Sequence, residues 1–492
     1  MINETVNDAV KSPAGSRSNS GDVVFEIVSL YEAQKKIYPR AVSGLFARWR
    51  WGLVWFTQLL FYGLPWLEWN GRQAVLFELA SRRFYIFGLV LYPQDFIYLT
   101  GLLLISAYAL FLFTAVAGRL WCGFACPQTV YTELFMWIEK QFEGDRQARI
   151  KLDAAPWSLN KLWRKGGKQA VWIAVGLWTG FSFVGYFTPI HTLWAEAFTL
   201  GFGPWEWFWV LFYGFATYGN AGFMREQVCK YMCPYARFQS AMFDKDTLII
   251  SYDTERGEPR GSRSRKADPK LTGLGDCIDC TLCVQVCPTG IDIREGLQYE
   301  CIGCAACIDV CDSVMDKMAY PRGLIRYDTE NGLNQHLTPA QKLRRIFRPR
   351  VVIYSVVLML LSTSLLGSLL FLRSPVKLDV VRDRGVLSRL VDDGFIENLY
   401  RLQIMNATET LQHYTLAVKG LTGIALVKPV DVIITPAEAR WVTVAVRIPP
   451  QTAAQAGSGA HAIEFELQGA PGAAGSVTGA SVKEKSTFVV PR

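Results

Sequence analysis

The sequence predicts a multi-domain membrane protein: an α-helical transmembrane bundle of five spans, a compact cysteine-rich metal domain, and a C-terminal Ig-like β-sandwich. Three observations predict it. Five apolar runs approach membrane length, eight of the twelve cysteines crowd between Cys277 and Cys311, and residues 375–492 change to alternating apolar and polar residues between turn signals. A hydrophobic fraction of 51% with 16 Trp, 20 Tyr and 29 Phe suits a chain that meets a membrane interface.

The apolar runs are 51–67, 96–118, 170–188, 207–223 and 351–372. Each approaches the roughly 20 residues that a bilayer core requires. The stretch FYIFGLVLY (84–92) is too short to span and reads as interfacial. Lys140, Arg146, Arg149, Lys151, Lys161, Arg164, Lys165 and Lys168 lie between the second and third runs, whereas PIHTLWAEAFTLGFGP, between the third and fourth, has no Lys or Arg. Arg40, Arg48 and Arg50 precede the first run; Arg344, Arg345, Arg348 and Arg350 precede the last. By the positive-inside rule the N-terminus and the cysteine-rich domain face the cytoplasm, and five crossings leave the C-terminal domain periplasmic in a Gram-negative inner membrane. A net charge of +8 is thereby explained by orientation in lipid, and no nucleic-acid partner is expected.

The expected organisation is a disordered cytoplasmic tail over 1–40, without the apolar core of a signal peptide, then a four-span membrane domain over 41–243. A cytoplasmic metal domain over 244–349, a fifth span over 350–373 and a sandwich over 374–492 complete it. In the last, YRLQI, HYTLAV, WVTVAVRI and AIEFEL show period-2 alternation, and no cysteine pair argues for a disulfide-bonded Ig domain.

The metal domain reads C-x2-C-x2-C-x3-C-P from Cys277, then C-x2-C-x2-C-x3-C from Cys301. This is bacterial ferredoxin spacing for two [4Fe-4S] clusters, in which the fourth thiolate of each comes from the other motif. Cys277, Cys280, Cys283 and Cys311 then ligate one cluster; Cys301, Cys304, Cys307 and Cys287 ligate the other. Patterned cysteines with none in the last 181 residues favour metal ligation over disulfides. A pair of zinc sites is the bland alternative.

Two further pairs stand in RLWCGFACPQ (Cys122, Cys126) and EQVCKYMCPY (Cys229, Cys233), each C-x3-C-P just past the second helix of a hairpin. The repeat suggests a duplicated two-helix unit. On one helix, i and i+4 would place each pair on one face, and Pro127 and Pro234 fit a bend or break there. Thiolates form a soft site for Cu(I) or zinc; small buried residues or a thiol–disulfide pair are the alternatives. His191 and His336 read as ordinary polar residues, Met136, Met224, Met232 and Met242 as packing, and Glu133 and Glu139 as the solvated face of an interfacial helix. No nucleotide fingerprint is present, so the electron donor is a separate cytoplasmic partner.

The order of these parts, with RRFYIFGLVLYPQDF, RLWCGFACPQTVYTELFMWIE, CKYMCPYARFQSAMFD and MAYPRGLIRYDTENG, resembles the cytochrome c oxidase accessory protein family known as CcoG, FixG or RdxA, from about residue 38 to the end. The resemblance implies a cupric reductase, Cu(II) to Cu(I), that supports assembly of cbb3-type oxidase. It implies copper on Cys122, Cys126, Cys229 and Cys233, clusters on the eight ferredoxin cysteines, and a copper chaperone or transporter and oxidase assembly factors as partners. Two other classes fit the residues: a quinol-oxidising iron–sulfur subunit, whose relatives lack the fifth span and sandwich, and a non-catalytic copper-holding scaffold.

Overall fold

The computed structural model describes residues 36–265, 273–383, 385, 387–469 and 481–491; the expected tail falls almost wholly outside them. Apolar runs rich in Leu, Phe and Ala satisfy their backbone within helices. Helix α1 (Leu45–Gly63) leads into a hairpin, β1 (Glu68–Trp69) and β2 (Arg72–Gln73), and a three-stranded meander of β3 (Val75–Glu78), β4 (Arg83–Ile86) and β5 (Leu89–Leu91). Thus FYIFGLVLY is strand and not a bare interfacial segment. Its short alternating runs pair in register, Phe84 with Leu91 and Ile86 with Leu89.

Helix α2 (Phe96–Ala117) follows. It stops at Gly118, whose φ of 55° places a bare Cα against the Leu248 carbonyl, where a Cβ would come within 2.8 Å. A single helical turn, α3 (Leu120–Phe124), precedes α4 (Pro127–Glu143) and α5 (Arg146–Ala154); then come α6 (Leu159–Val184), α7 (Ile190–Thr199), α8 (Pro204–Tyr218) and α9 (Pro234–Met242). Helices α6 and α8 meet backbone to backbone, because Gly176, Gly180 and Gly214 lie on the facing surfaces: a Cβ on Gly180 would fall 2.1 Å from the Val210 carbonyl oxygen. Beyond α8 the chain continues as two π-helical turns, Gly219–Met224 and Val228–Met232.

The cysteine-rich domain is tied by a two-stranded ribbon, β6 (Ile249–Tyr252) with β7 (Ile325–Asp328), and carries the Ala306–Met318 helix. The Pro349–Gly367 helix then returns beside α2, with Leu365 filling the space over Gly101. Among the described residues, two helical segments, Pro93–Ala117 and Pro349–Leu372, are long and apolar enough to cross a membrane. Large apolar side chains face outward along both, Ile97, Leu103, Leu360 and Phe371 among them, an arrangement rare on water-soluble surfaces.

The C-terminal domain stacks β8 (Val376–Arg382), β9 (Arg389–Leu390), β10 (Ile396–Asn406), β12 (Ala425–Leu426) and β14 (Ala439–Ile448) against β11 (Gln412–Lys419), β13 (Val430–Ile434), β15 (Gly459–Gly469) and β16 (Ser481–Val490). The four alternating segments expected as strands all lie in these elements. Tyr400, Leu402 and Ile404 of β10 and Phe465 and Leu467 of β15 fill the space between the sheets. Met405, Ala407 and Ala437 share a second core with Leu76, Tyr85, Val90 and Tyr92 of the meander region. The start of α1 lies against the cysteine-rich domain, while the α1–α2 connection lies against the sandwich.

Candidate electron-transfer centre

The two ferredoxin motifs fold alike because the same positions take left-handed backbone: Asp279 and Thr281 in the first, Gly303 and Ala305 in the second, at φ of 50°, 55°, 70° and 59°. Alternating left- and right-handed residues turn successive N–H groups inward, a concavity suited to anionic sulfur. Two cavities result. Cys277, Cys280, Cys283 and Cys311 line one, walled by Ile278, Leu282, Val314 and Ile325. Cys287, Cys301, Cys304 and Cys307, with Cys283 at the edge, line the other, walled by Ile250, Ile291, Ile293 and Ile302. The last cysteine of each motif therefore borders the cavity of the opposite motif. Cys280 of the first set is exposed although Cys277 and Cys283 are buried, whereas no cysteine of the second set is exposed.

Among the described residues, no three His, Cys, Asp or Glu side chains are gathered closely enough for a single metal ion. Four thiolates on one zinc would stand about 3.8 Å apart, as its ligand distance and tetrahedral angle require. Thiols ranged around an apolar cavity fit a larger polynuclear group. A second fit is electrostatic: Nε of Arg50 and Nε of Arg119 are buried without hydrogen-bond partners beside this domain, and an anionic cluster would supply the missing negative charge. Burial raises the Cys301 thiol to about 12, and the Cys283 thiol to about 11 with Arg294 pulling the other way. Loading such thiols with metal releases protons.

The C-x3-C-P pairs have a different local structure from the continuous helix that i, i+4 spacing predicts. Cys122 sits in α3, and Cys126 is the N-cap residue of α4 with Pro127 at its first position; Cys233 is the N-cap residue of α9 with Pro234 at its first position, and Cys229 sits in the preceding π turn. Proline cannot continue a helix but starts one well, so each motif breaks between its two thiols. Cross-links join the motifs. The Cys122 thiol donates to Gln239 Oε1 at 3.3 Å, and Gln128 Nε2 donates to the carbonyls of Asn220 (2.9 Å) and Arg225 (3.1 Å). The four thiols lie within one another's electrostatic reach: burial first, then Cys126, raises Cys122 to about 12, and burial, Cys126 and Cys233 raise Cys229 to about 11.

This thiol group is built directly on the second ferredoxin motif. A Cβ on Gly123 would come within 2.7 Å of Cys304 N and of the Gly303 carbonyl. Cys122 and Cys229 pack on the same apolar cluster as Cys304, Ile302 and Val286. Arg50 Nη1 donates to the Cys304 carbonyl at 2.9 Å, and Asp309, between Cys307 and Cys311, accepts from the Phe46 and Ala47 N–H groups that open α1.

Among the weaker candidates, Glu139 is not solvated. It is 2% exposed and pairs with Arg149 at 2.8 Å, Arg225 at 3.0 Å and Lys168 at 3.5 Å. Glu133 lies 3.8 Å from the buried Arg50. His191 and His336 form exposed pairs with Glu68 and Glu255, and Met232 is exposed. The spacing of cysteines did not point to Arg50, Arg119, Gly123 or Gln239; an arginine three positions before Cys122 was the available signal.

Three family models match: a 4Fe-4S binding domain over 99–143, a 4Fe-4S dicluster domain over 224–330, and an "IG-like fold at C-terminal of FixG" over 366–491. Protein RdxA of Cereibacter sphaeroides is 42% identical over 405 residues, 80% of this chain and 84% of its own length. The chain belongs to the FixG/RdxA family. Nitrogen fixation protein FixG of Rhizobium meliloti is 38% identical over 423 residues, 80% of each chain. A solved FixG-related protein from Vibrio parahaemolyticus aligns over 24% of this chain and 97% of its own, at 25% identity and a TM-score of 0.20. As a FixG/RdxA protein the chain is an iron–sulfur oxidoreductase with [4Fe-4S] clusters and an Ig-like C-terminal domain.

Proposed function

We propose that this protein is a cupric reductase of the inner membrane, in which the Cys122/Cys126 and Cys229/Cys233 thiols, no more than two to one copper ion, bind Cu(II) as substrate and hold the Cu(I) product. Cys277, Cys280, Cys283 and Cys311 hold one [4Fe-4S] cluster, and Cys301, Cys304, Cys307 and Cys287 the other. Bound there, the clusters supply one-electron carriers. Each Cu(II) takes one electron with no atom transfer, and the soft thiolates favour the reduced ion. Cys122 and Cys126 come from one hairpin and Cys229 and Cys233 from the other, so Gln128 and Gln239, which link the hairpins, hold the pairs in register. The proposed setting is a five-span bundle with the cysteines at its cytoplasmic face and the sandwich in the periplasm. A cytoplasmic one-electron donor, a copper chaperone or transporter, and assembly factors of a cbb3-type oxidase are the proposed partners.

The observation that carries the reading is the seat of Gly123 on the Gly303–Cys304 backbone, which supports transfer between the second ferredoxin motif and the C-x3-C-P thiols without an intervening side chain. The test is anaerobic. The detergent-purified protein is reduced, Cu(II) is added, and Cu(I) is read with a chromogenic chelator. Replacing all four C-x3-C-P cysteines by Ala, with iron retained, is expected to slow Cu(I) formation at least about tenfold; an undiminished rate removes the site. A second reading has its own observation: the 4Fe-4S binding domain match over 99–143 contains Cys122 and Cys126. On that reading the four thiols ligate a third cluster, and iron per chain rises from about eight to about twelve.

A further inference from the structure

Arg119 stands where the two cysteine systems meet. It is 6% exposed, and its guanidinium donates to two backbone carbonyls, those of Tyr299 and Ala236. Its Nε has no partner, and among the described residues no carboxylate pairs with it. On one side its charge reaches Cys301; on the other it reaches Cys122 and Cys229. Its carbonyl lies 3.0 Å from where a Cβ of Gly303 would stand. A second buried cation, Arg50, bonds the Cys304 carbonyl from α1 and is offset in part by Glu133 at 3.8 Å and by the buried Asp309 carboxylate.

The first ferredoxin motif has no such buried surplus. Arg263 reaches the Gly275 carbonyl at 2.6 Å and the Cys277 carbonyl at 3.5 Å but is only half-buried, and Arg294 is neutralised twice, by Asp292 at 2.6 Å and Asp279 at 2.5 Å. Asp312 adds negative charge beside Cys311. Two effects therefore oppose each other at the second centre. Burial disfavours the more negative, reduced state, whereas an unpaired cation favours it. A guanidinium taken out of water without a counter-charge is costly, so its presence here needs an anionic neighbour to offset it. The thiolate-ligated centre is that neighbour.

We propose that Arg119, assisted by Arg50, is a positioning residue that raises the reduction potential of the centre on Cys301, Cys304, Cys307 and Cys287 above that of the centre on Cys277, Cys280, Cys283 and Cys311. Electron flow is thereby directed from the side of exposed Cys280 toward the C-x3-C-P thiols. The proposal rests on the cluster assignment above and is indifferent to whether those thiols hold copper or iron.

The test is a potentiometric titration of the full-length detergent-purified protein followed by electron paramagnetic resonance. Cys304→Ser and Cys311→Ser first assign the two signals; if neither substitution changes iron content or either signal, the cluster assignment itself fails, separately from the role of Arg119. Arg119→Gln with iron intact is expected to lower the second centre's reduced-to-oxidised ratio at least tenfold at fixed potential, which is about 59 mV for one electron. Arg119→Lys restores most of it, and Arg294→Gln leaves the second centre unmoved. Unchanged midpoints in Arg119→Gln, or equal shifts at both centres, overturn the proposal. Should Arg119→Gln lose iron, Arg50→Gln decides: a lower midpoint at the second centre alone upholds the proposal, and an unchanged one overturns it.

Discussion

A carboxylate almost out of solvent stays ionised when cations surround it, and Glu139 has three. Burial alone would raise its pKa, but Arg225, Arg149 and Lys168 outweigh that and hold it below the usual carboxylate range. Glu139→Gln leaves these cations facing a neutral amide, and loss of about 3–5 kcal/mol is expected because one member of a buried network is removed. Chemical unfolding in detergent, followed by tryptophan fluorescence, measures it. The pH dependence has a definite sign. Because the folded pKa is depressed, the stabilisation is complete above the ordinary carboxylate pKa and is lost as pH falls through the folded value; Glu139→Gln flattens that acid limb. None of this was legible in the sequence, where Glu139 and Glu143 stand at i, i+4 as like charges on an amphipathic helix. Their partners come from α5, α6 and the turn after α8, and only the tertiary fold brings them together.

At the scale of elements, the repeated C-x3-C-P text suggested a duplicated two-helix unit, and the proline pointed to the break that each motif has between its cysteines. What spacing could not show is where the break falls. Each second cysteine becomes a helix N-cap, and each first cysteine stays on the preceding turn. The contact between α3 and the Gly303–Cys304 loop was hidden for a similar reason, since it depends on the absence of a side chain at Gly123. Gly123→Ala puts a methyl group into backbone atoms that cannot swing aside. The expected result is iron content near wild type with Cu(II)-dependent reoxidation slowed by about tenfold or more, as separation of positioned groups commonly produces. Stopped-flow absorbance of the clusters reads the rate, and wild-type kinetics in Gly123→Ala would show that the contact is not on the route.

For the whole molecule, alternation marked the strands of the last domain and ferredoxin spacing marked the 4Fe-4S region, while hydropathy said less about the helices. Two helices are apolar enough by themselves; α6 opens with LNKLWRKGGK and α8 has only 15 residues before its π turn, so their packing depends on glycine contacts and not on hydropathy. The latch between the sandwich and the α1–α2 connection was not legible at all. Glu409 receives Trp69 Nε1 at 3.1 Å and also bonds Asn70 and Arg72; Lys377 pairs with the buried Asp95, and Tyr92 donates to the Asn406 carbonyl at 3.0 Å. These groups sit at the far end of the bundle from the cysteines, so they can be cut without disturbing the electron-transfer centre. Paired with Lys377→Ala, Glu409→Ala leaves Arg72 and Asp95 without their counter-charges, at a cost of about 1–3 kcal/mol each for half-buried charged hydrogen bonds. Hydrogen exchange should then quicken in β3–β5 and in the facing edge of β10, while iron content, both midpoints and Cu(I) formation hold at wild-type values. Slowed chemistry in the double variant would instead mean that the sandwich and the cysteine end are coupled through the helices, and that the latch takes part in electron transfer and does not only anchor the C-terminal domain.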